Sequence, residues 1–217
     1  MVRPPEQTTA WVAERIAEMA QVQKAEVVGR HVLRVTRDKY APFAAGVISV
    51  PVVTPQSVQS VLDADPSVEI LVNVPKEAFW TGPAITTAAA RNVAFGGVGD
   101  LMSAISEEDV RRYIRSEFDF VERGLRQHSR VSRLEREADR VYLVLRHGLS
   151  PLRFVMLKEY ELTSDHVRTA RDRYGAFDAI LINNPNGKPT TGAVEVAKSL
   201  DVGIFMWGQF LGRLNSP

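Results

Sequence analysis

Apolar and polar residues follow two periods along this chain, one helical and one alternating, and their succession occurs twice. Trp11, Val12, Ile16 and Met19 recur at helical spacing within TTAWVAERIAEMAQ. Residues three and four apart share a face, so this stretch predicts an amphipathic helix. Three runs with strand character come next, KAEVVG, HVLRVTR and FAAGVISVPVV. Their short polar or Pro-containing connections predict antiparallel pairing. Thr54 then offers an N-cap hydroxyl and Pro55 the first position of a helix through QSVQSVLDA. VEILVNV is apolar almost throughout, as a strand covered on both faces requires. A small-residue helix AITTAAA, a short strand VAF and a helix from Leu101 complete the series.

The series returns 109 residues later. Ser106, followed by Glu107, Glu108 and Asp109, reads as a helix start because carboxylates favour the positive helix end. Val110, Ile114, Val121 and Leu125 form its apolar stripe, and SRVSRLERE, DRVYLVLR and PLRFVMLKEY are its strands. SDHVRTARDRY, FDAILIN, AVEVAKSL, VGIF and a helix from Phe210 complete the second series. Individual residues keep the register: Val32, Arg37, Pro42, Thr54 and Val58 fall on Val141, Arg146, Pro151, Thr163 and Val167 (163 − 54 = 109). One insertion pairs Asn73 and Pro75 with Asn183 and Pro185, after which Ala84, Ala88, Val93 and Gly99 meet Ala193, Ala197, Val202 and Gly208. The reading is a tandem duplication. It predicts an α/β protein of two lobes, 1–105 and 106–217, joined through Ser103–Ser106. Each lobe has the order α-β-β-β-α-β-α-β-α and a mixed sheet, and the pair is expected in a pseudo-twofold arrangement.

Composition supports a globular chain, with 45% hydrophobic and 24% charged residues in 217. The longest apolar stretch, residues 42–53, is too short and interrupted to span a bilayer, and the N-terminal residues carry acids where a signal peptide needs an apolar run. A cytoplasmic address without membrane association is expected. The absence of Cys excludes thiolate catalysis and Cys-ligated zinc. Net charge is +1, but residues 111–146 hold ten Arg against six acids. That local excess fits either a salt-bridged, solvated face or phosphate contact. Arg126, Arg130 and Arg136 are the phosphate candidates, Arg130 and Arg136 sharing a strand face with Arg133 opposite. Asn186 and Lys188, in the turn NNPNGKPT after a core strand, are further candidates.

The order of elements, together with the closing run AILINNPNGKPTTGAVEVAKSLDVGIFMWGQFLGRL, resembles the restriction-endonuclease-like PD-(D/E)xK nucleases, the second lobe being most similar to the Mrr-like branch. The resemblance covers nearly the whole chain. It implies an Asp at the start of the second core strand and an acid-x-Lys on the third, where two carboxylates hold a divalent metal and the Lys activates water. Asp139 and Lys158 fall on the first and last of these positions, making them the catalytic candidates and Asp139 the metal ligand. The second acid is missing, because Met156 stands there and a thioether does not serve Mg²⁺. Glu159 and Glu161 point to the other strand face, whereas Asp165 and Asp172 lie on the following helix. The first lobe has Arg30, Val47 and Ser49 at the motif positions. The resemblance and its gaps together imply a degenerate, non-catalytic or weakly catalytic nuclease-like protein that binds duplex DNA or a protein partner, with no cofactor unless activity remains, in which case Mg²⁺ or Mn²⁺. The alternatives are a Mg²⁺- or Mn²⁺-dependent endonuclease and an oligomeric scaffold.

Smaller signals read as structure. Gly96, Gly97 and Gly99 lie between a strand and a helix, which suits a tight turn or a phosphate loop. Trp80 and Trp207 flank strand ends and are expected to pack lobes or helices. His31, His128, His147 and His166 have no ligand spacing, and there is no Gly-x-Ser-x-Gly elbow.

Overall fold

A computed structural model describes residues 4–76 and 78–216. The chain divides into two compact units, Met1–Arg115 and Ser116–Pro217. In the first, α1 (Pro5–Ala17) precedes the strands β1 (Val22–Gly29), β2 (Val32–Arg37) and β3 (Phe43–Ile48). Next come β4 (Val52–Val53), α2 (Pro55–Ala64), β5 (Val68–Asn73), β6 (Phe79–Trp80), α3 (Gly82–Ala90), β7 (Ala94–Gly97) and α4 (Val98–Ala104). The second contains α5 (Ser116–Arg126), β8 (Val131–Ala138), β9 (Val141–Arg146), β10 (Leu149–Leu157), β11 (Glu161–Leu162) and α6 (Ser164–Tyr174). It closes with β12 (Ala179–Ile182), β13 (Lys188–Pro189), α7 (Thr191–Ser199), β14 (Gly203–Met206) and α8 (Trp207–Arg213).

Each unit has one five-stranded mixed sheet, and the strand orders correspond: β1-β2-β3-β5-β7 and β8-β9-β10-β12-β14. The first three strands form an antiparallel meander, and the last two add in parallel. A two-stranded parallel pair, β4 with β6 and β11 with β13, accompanies each sheet. Two-residue strands carry no period, so the sequence pattern did not predict these pairs.

The centre of each sheet is covered on both faces. All six residues of β3 are buried. Phe43, Ala45 and Val47 enter one core with Val12 and Ile16 of α1 and Leu101 of α4, whereas Ala44 and Ile48 enter another with Val58, Val61 and Leu62 of α2. Gly46 lets α2 approach, since a Cβ there would lie 2.6 Å from a Val61 methyl. The predicted caps form in both units: the hydroxyls of Thr54 and Thr163 accept from the backbone N–H of Ser57 and His166, and those of Thr81 and Thr190 cap α3 and α7.

The most specific shared feature is a buried arginine. Arg37 donates from Nε and Nη2 to the Ala41 carbonyl and from Nη1 to those of Ile105 and Glu107. Arg146 donates to the carbonyls of Ser150, Leu214 and Ser216, each 109 residues further on, and to that of Arg213. Each guanidinium therefore pins the end of its unit's last helix to a hairpin. Burial draws both below their ordinary pKa, yet arginine keeps its charge.

The division between units lies ten residues beyond the expected 105/106. Residues 106–115 do not begin a long helix. Asp109 caps a single turn, Val110–Arg112, whose Val110 is buried in the first unit's core. Beyond that turn, Tyr113 donates to Asp100 at 3.2 Å and Arg115 grips both Asp100 oxygens, at 2.8 and 2.5 Å. The acids at 107–109 imitate a helix start, but tertiary contacts hold this segment on the first unit.

Candidate functional site

Asp139 and Lys158 lie at the end of the second unit's sheet where β10 and β12 finish. Asp139 does not open a strand: with Arg140 it forms the two-residue turn between β8 and β9. β10 stops at Leu157, leaving Lys158 just beyond it. Register decides which groups meet. Val155 lies opposite Val141, and the Met156 N–H donates to the Arg140 carbonyl at 2.9 Å. Arg140, Met156 and Lys158 thus belong to the face covered by α5, and Asp139 to the other. Two observations agree. Met156 is wholly buried with Phe118 and Val121 of α5, and the Asp139 charge acts on Tyr174 of α6, whose phenol is pushed up chiefly by burial and then by that charge.

The partner of Lys158 is Glu117, in the first turn of α5. Lys158 Nζ stands 3.0 Å from Glu117 Oε2, and Arg140 Nη2 donates to Oε1 at 2.9 Å. Glu117 is 7% exposed and Lys158 59%, so the carboxylate is the buried member and the ammonium reaches it from the rim. Asn183 follows β12 beside Lys158, its backbone N–H on the Leu157 carbonyl at 3.1 Å. Its side-chain oxygen and nitrogen, and Arg140 Nη1, are buried without a partner among the described residues. In the first unit both ends of the corresponding Asn73 amide are engaged: it donates to the Val50 carbonyl at 2.8 Å and accepts from the Val50 N–H at 3.1 Å.

A divalent ion needs several hard anionic oxygens. Here one carboxylate already serves two cations, the neighbouring motif position is a thioether, and Asp139 faces away. No group of three or more metal-binding side chains exists among the described residues. The donor set does not fit Mg²⁺ or Mn²⁺. Of the substitute carboxylates, Glu159 lies 3.8 Å from His166 Nε2, and Asp165 pairs with Arg168.

The phosphate candidates separate as well. Arg126 pairs with Glu122 one turn earlier at 2.7 Å. Arg136 is not a surface contact: 12% exposed, it lies 3.9 Å over the Phe118 ring and donates to the Asp139 carbonyl, bracing the turn. Arg130 precedes β8, and register shifts flank Arg133 and Arg136, so the expected shared strand face of Arg130 and Arg136 does not form. Arg133 pairs with Glu135, and Arg153 with Glu137. Asn186 and Lys188 are exposed, Lys188 being held by its backbone N–H on the Tyr160 carbonyl.

The glycine-rich turn is already filled. Asp100 accepts from the Gly97 N–H at 2.8 Å, and a Cβ on Gly96 would collide with its carboxylate. An anion thus occupies the place a phosphate would take. Burial pushes the Asp100 carboxyl up, but Arg115, the Gly97 N–H and Tyr113 together hold it below the usual carboxylate range. Trp80 packs on Phe95, and Trp207 on Phe120 and over Gly124, each within its own unit.

Sequence reasoning missed Glu117 and Arg140. The signal was present in the repeat: at offset 109 they fall on Thr8 and His31, as Lys158 falls on Ser49, so three charged positions at one end of the second sheet have neutral counterparts in the first. No described helix is long and apolar enough to cross a membrane. No family model matches the chain, and neither curated proteins nor solved structures give a match.

Proposed function

We propose that this chain is a non-catalytic protein of nuclease-like architecture that acts by binding a protein partner. One observation carries the reading: Lys158 and Arg140 share the single carboxylate of Glu117, so at the position implied for metal-dependent cleavage the one carboxylate is already taken by two cations. The preference for a protein partner rests on the arginines. Arg126, Arg133, Arg140 and Arg153 each meet an acid, so the local basic excess is largely spent on internal ion pairs.

Duplex DNA is the second reading, favoured by the exposed side chains of Arg130, Asn186 and Lys188. Titration of labelled duplex DNA at two salt concentrations, with Mg²⁺ and then Mn²⁺ present, separates the possibilities. The primary reading expects no cleavage and no saturable binding. Saturable binding whose logarithm falls linearly with log salt would establish the DNA reading. Cleavage abolished by Asp139→Ala and by Lys158→Ala would establish the endonuclease instead.

A further inference from the structure

The first unit holds a cavity of about 230 Å³ where the second holds its charged cluster. It lies at the end of β3 between α1 and α2, walled by apolar side chains that include Val47, Ile48 and Val61. Thr8, His31, Ser49 and Ser57 supply its polar groups. Counterparts 109 residues on are Glu117, Arg140, Lys158 and His166. All four are longer. Three are ionic and joined through the Glu117 carboxylate, and His166 faces Glu159. The first unit replaces every one with a neutral or smaller group, leaving space lined by hydroxyls and an imidazole.

Those groups are not all engaged. Thr8 spends its hydroxyl proton on the Pro4 carbonyl, and the Ser57 hydroxyl is held by Thr54. His31 Nδ1 lies 3.1 Å from the Val47 carbonyl. A carbonyl only accepts, so Nδ1 carries the proton, and in the tautomer with Nδ1 alone protonated Nε2 is an acceptor. The hydroxyls of Ser49 and of Ser60, which also lines the cavity, have no protein partner among the described residues. Among the described residues the lining contains no Lys, Arg, Asp or Glu, so a phosphate or carboxylate would meet no counter-charge from them. The volume is below the roughly 300–1,000 Å³ of pockets for drug-sized ligands, enough for one ring system.

We propose that this cavity is a binding site for an uncharged, ring-sized heteroaromatic molecule, with apolar walls against the ring faces and Ser49, Ser60 and His31 Nε2 meeting its polar edge. The site is independent of the partner-binding role, because none of its residues belongs to the Glu117 cluster.

The test uses the full chain and adenine, with adenosine monophosphate as a larger, charged comparator. Backbone amide shifts at His31, Ser49 and Val50 should move saturably with adenine, and the monophosphate should bind at least about tenfold more weakly. Ser49→Leu should weaken adenine by at least about tenfold while leaving the unfolding midpoint in place. If that variant does not fold, Ser60→Tyr, at an exposed position of α2, provides the same block. The proposal is overturned if adenine leaves those amides unmoved at millimolar concentration, if the monophosphate binds as tightly, or if a folded blocking variant keeps full affinity. Activity towards DNA plays no part in the readout, so this result is separable from that of the proposed partner-binding function.

Discussion

Arg37 and Arg146 should carry matching shares of stability in the two units, and Arg37→Met tests this most simply. Methionine keeps most of the stem packing and removes the guanidinium. Three carbonyls, those of Ala41, Ile105 and Glu107, then lose their donor. A hydrogen bond from a charged donor contributes about 1.5–3 kcal/mol. Partial rehydration of the carbonyls, and relief from holding a buried charge, offset some of the sum. A net loss of about 2–4 kcal/mol is expected. For a unit of this size that lowers the melting temperature by on the order of 10–20 °C. Arg146→Met should produce a loss of the same order through the carbonyls of Ser150, Arg213, Leu214 and Ser216. Lysine should rescue neither fully, because an ammonium cannot reproduce the planar fork. Hydrogen exchange read by mass spectrometry is the suitable assay, since a two-unit chain need not melt in one transition. For Arg37→Met the largest fall in protection should lie in residues 105–115. A loss below about 1 kcal/mol, or unchanged exchange there, would refute the pinning argument.

Single sites carry further expectations. Gly46→Ala pushes a methyl to within 2.6 Å of Val61 and 2.9 Å of Leu71, and should cost about 1–3 kcal/mol in urea unfolding. Gly124→Ala places a Cβ 2.5 Å from the Trp207 ring; the indole must move, and a change in Trp emission absent from a Trp207→Phe background would report it. Asp100 has a folded-state pKa below its unfolded value, so its contribution is complete above the unfolded carboxyl pKa and fades as pH falls through the folded one. Asp100→Asn should therefore lower the urea midpoint near neutral pH, with the gap to wild type closing in acid.

The duplication was legible because its signals are local and repeated. Thr54 and Thr163 are N-caps wherever a helix must start, and apolar runs such as VEILVN and AILI declare strands covered on both sides. Arg37 and Arg146 were visible as a matched pair, but not as pins, because their acceptors lie up to 70 residues away. Distance in sequence also hid Glu117, which reaches Lys158 across 41 positions (158 − 117 = 41). The unit boundary misled because Glu107, Glu108 and Asp109 satisfy the electrostatics of a helix start that the chain does not use. Arg136 escaped because register shifts in β8 alter the alternation that would have placed it.

Calorimetric titration of the full chain with Mn²⁺ tests the central claim most directly. With one buried carboxylate held by two cations, no saturable heat should appear up to millimolar metal. A saturable site whose heat disappears in Asp139→Ala would contradict the account.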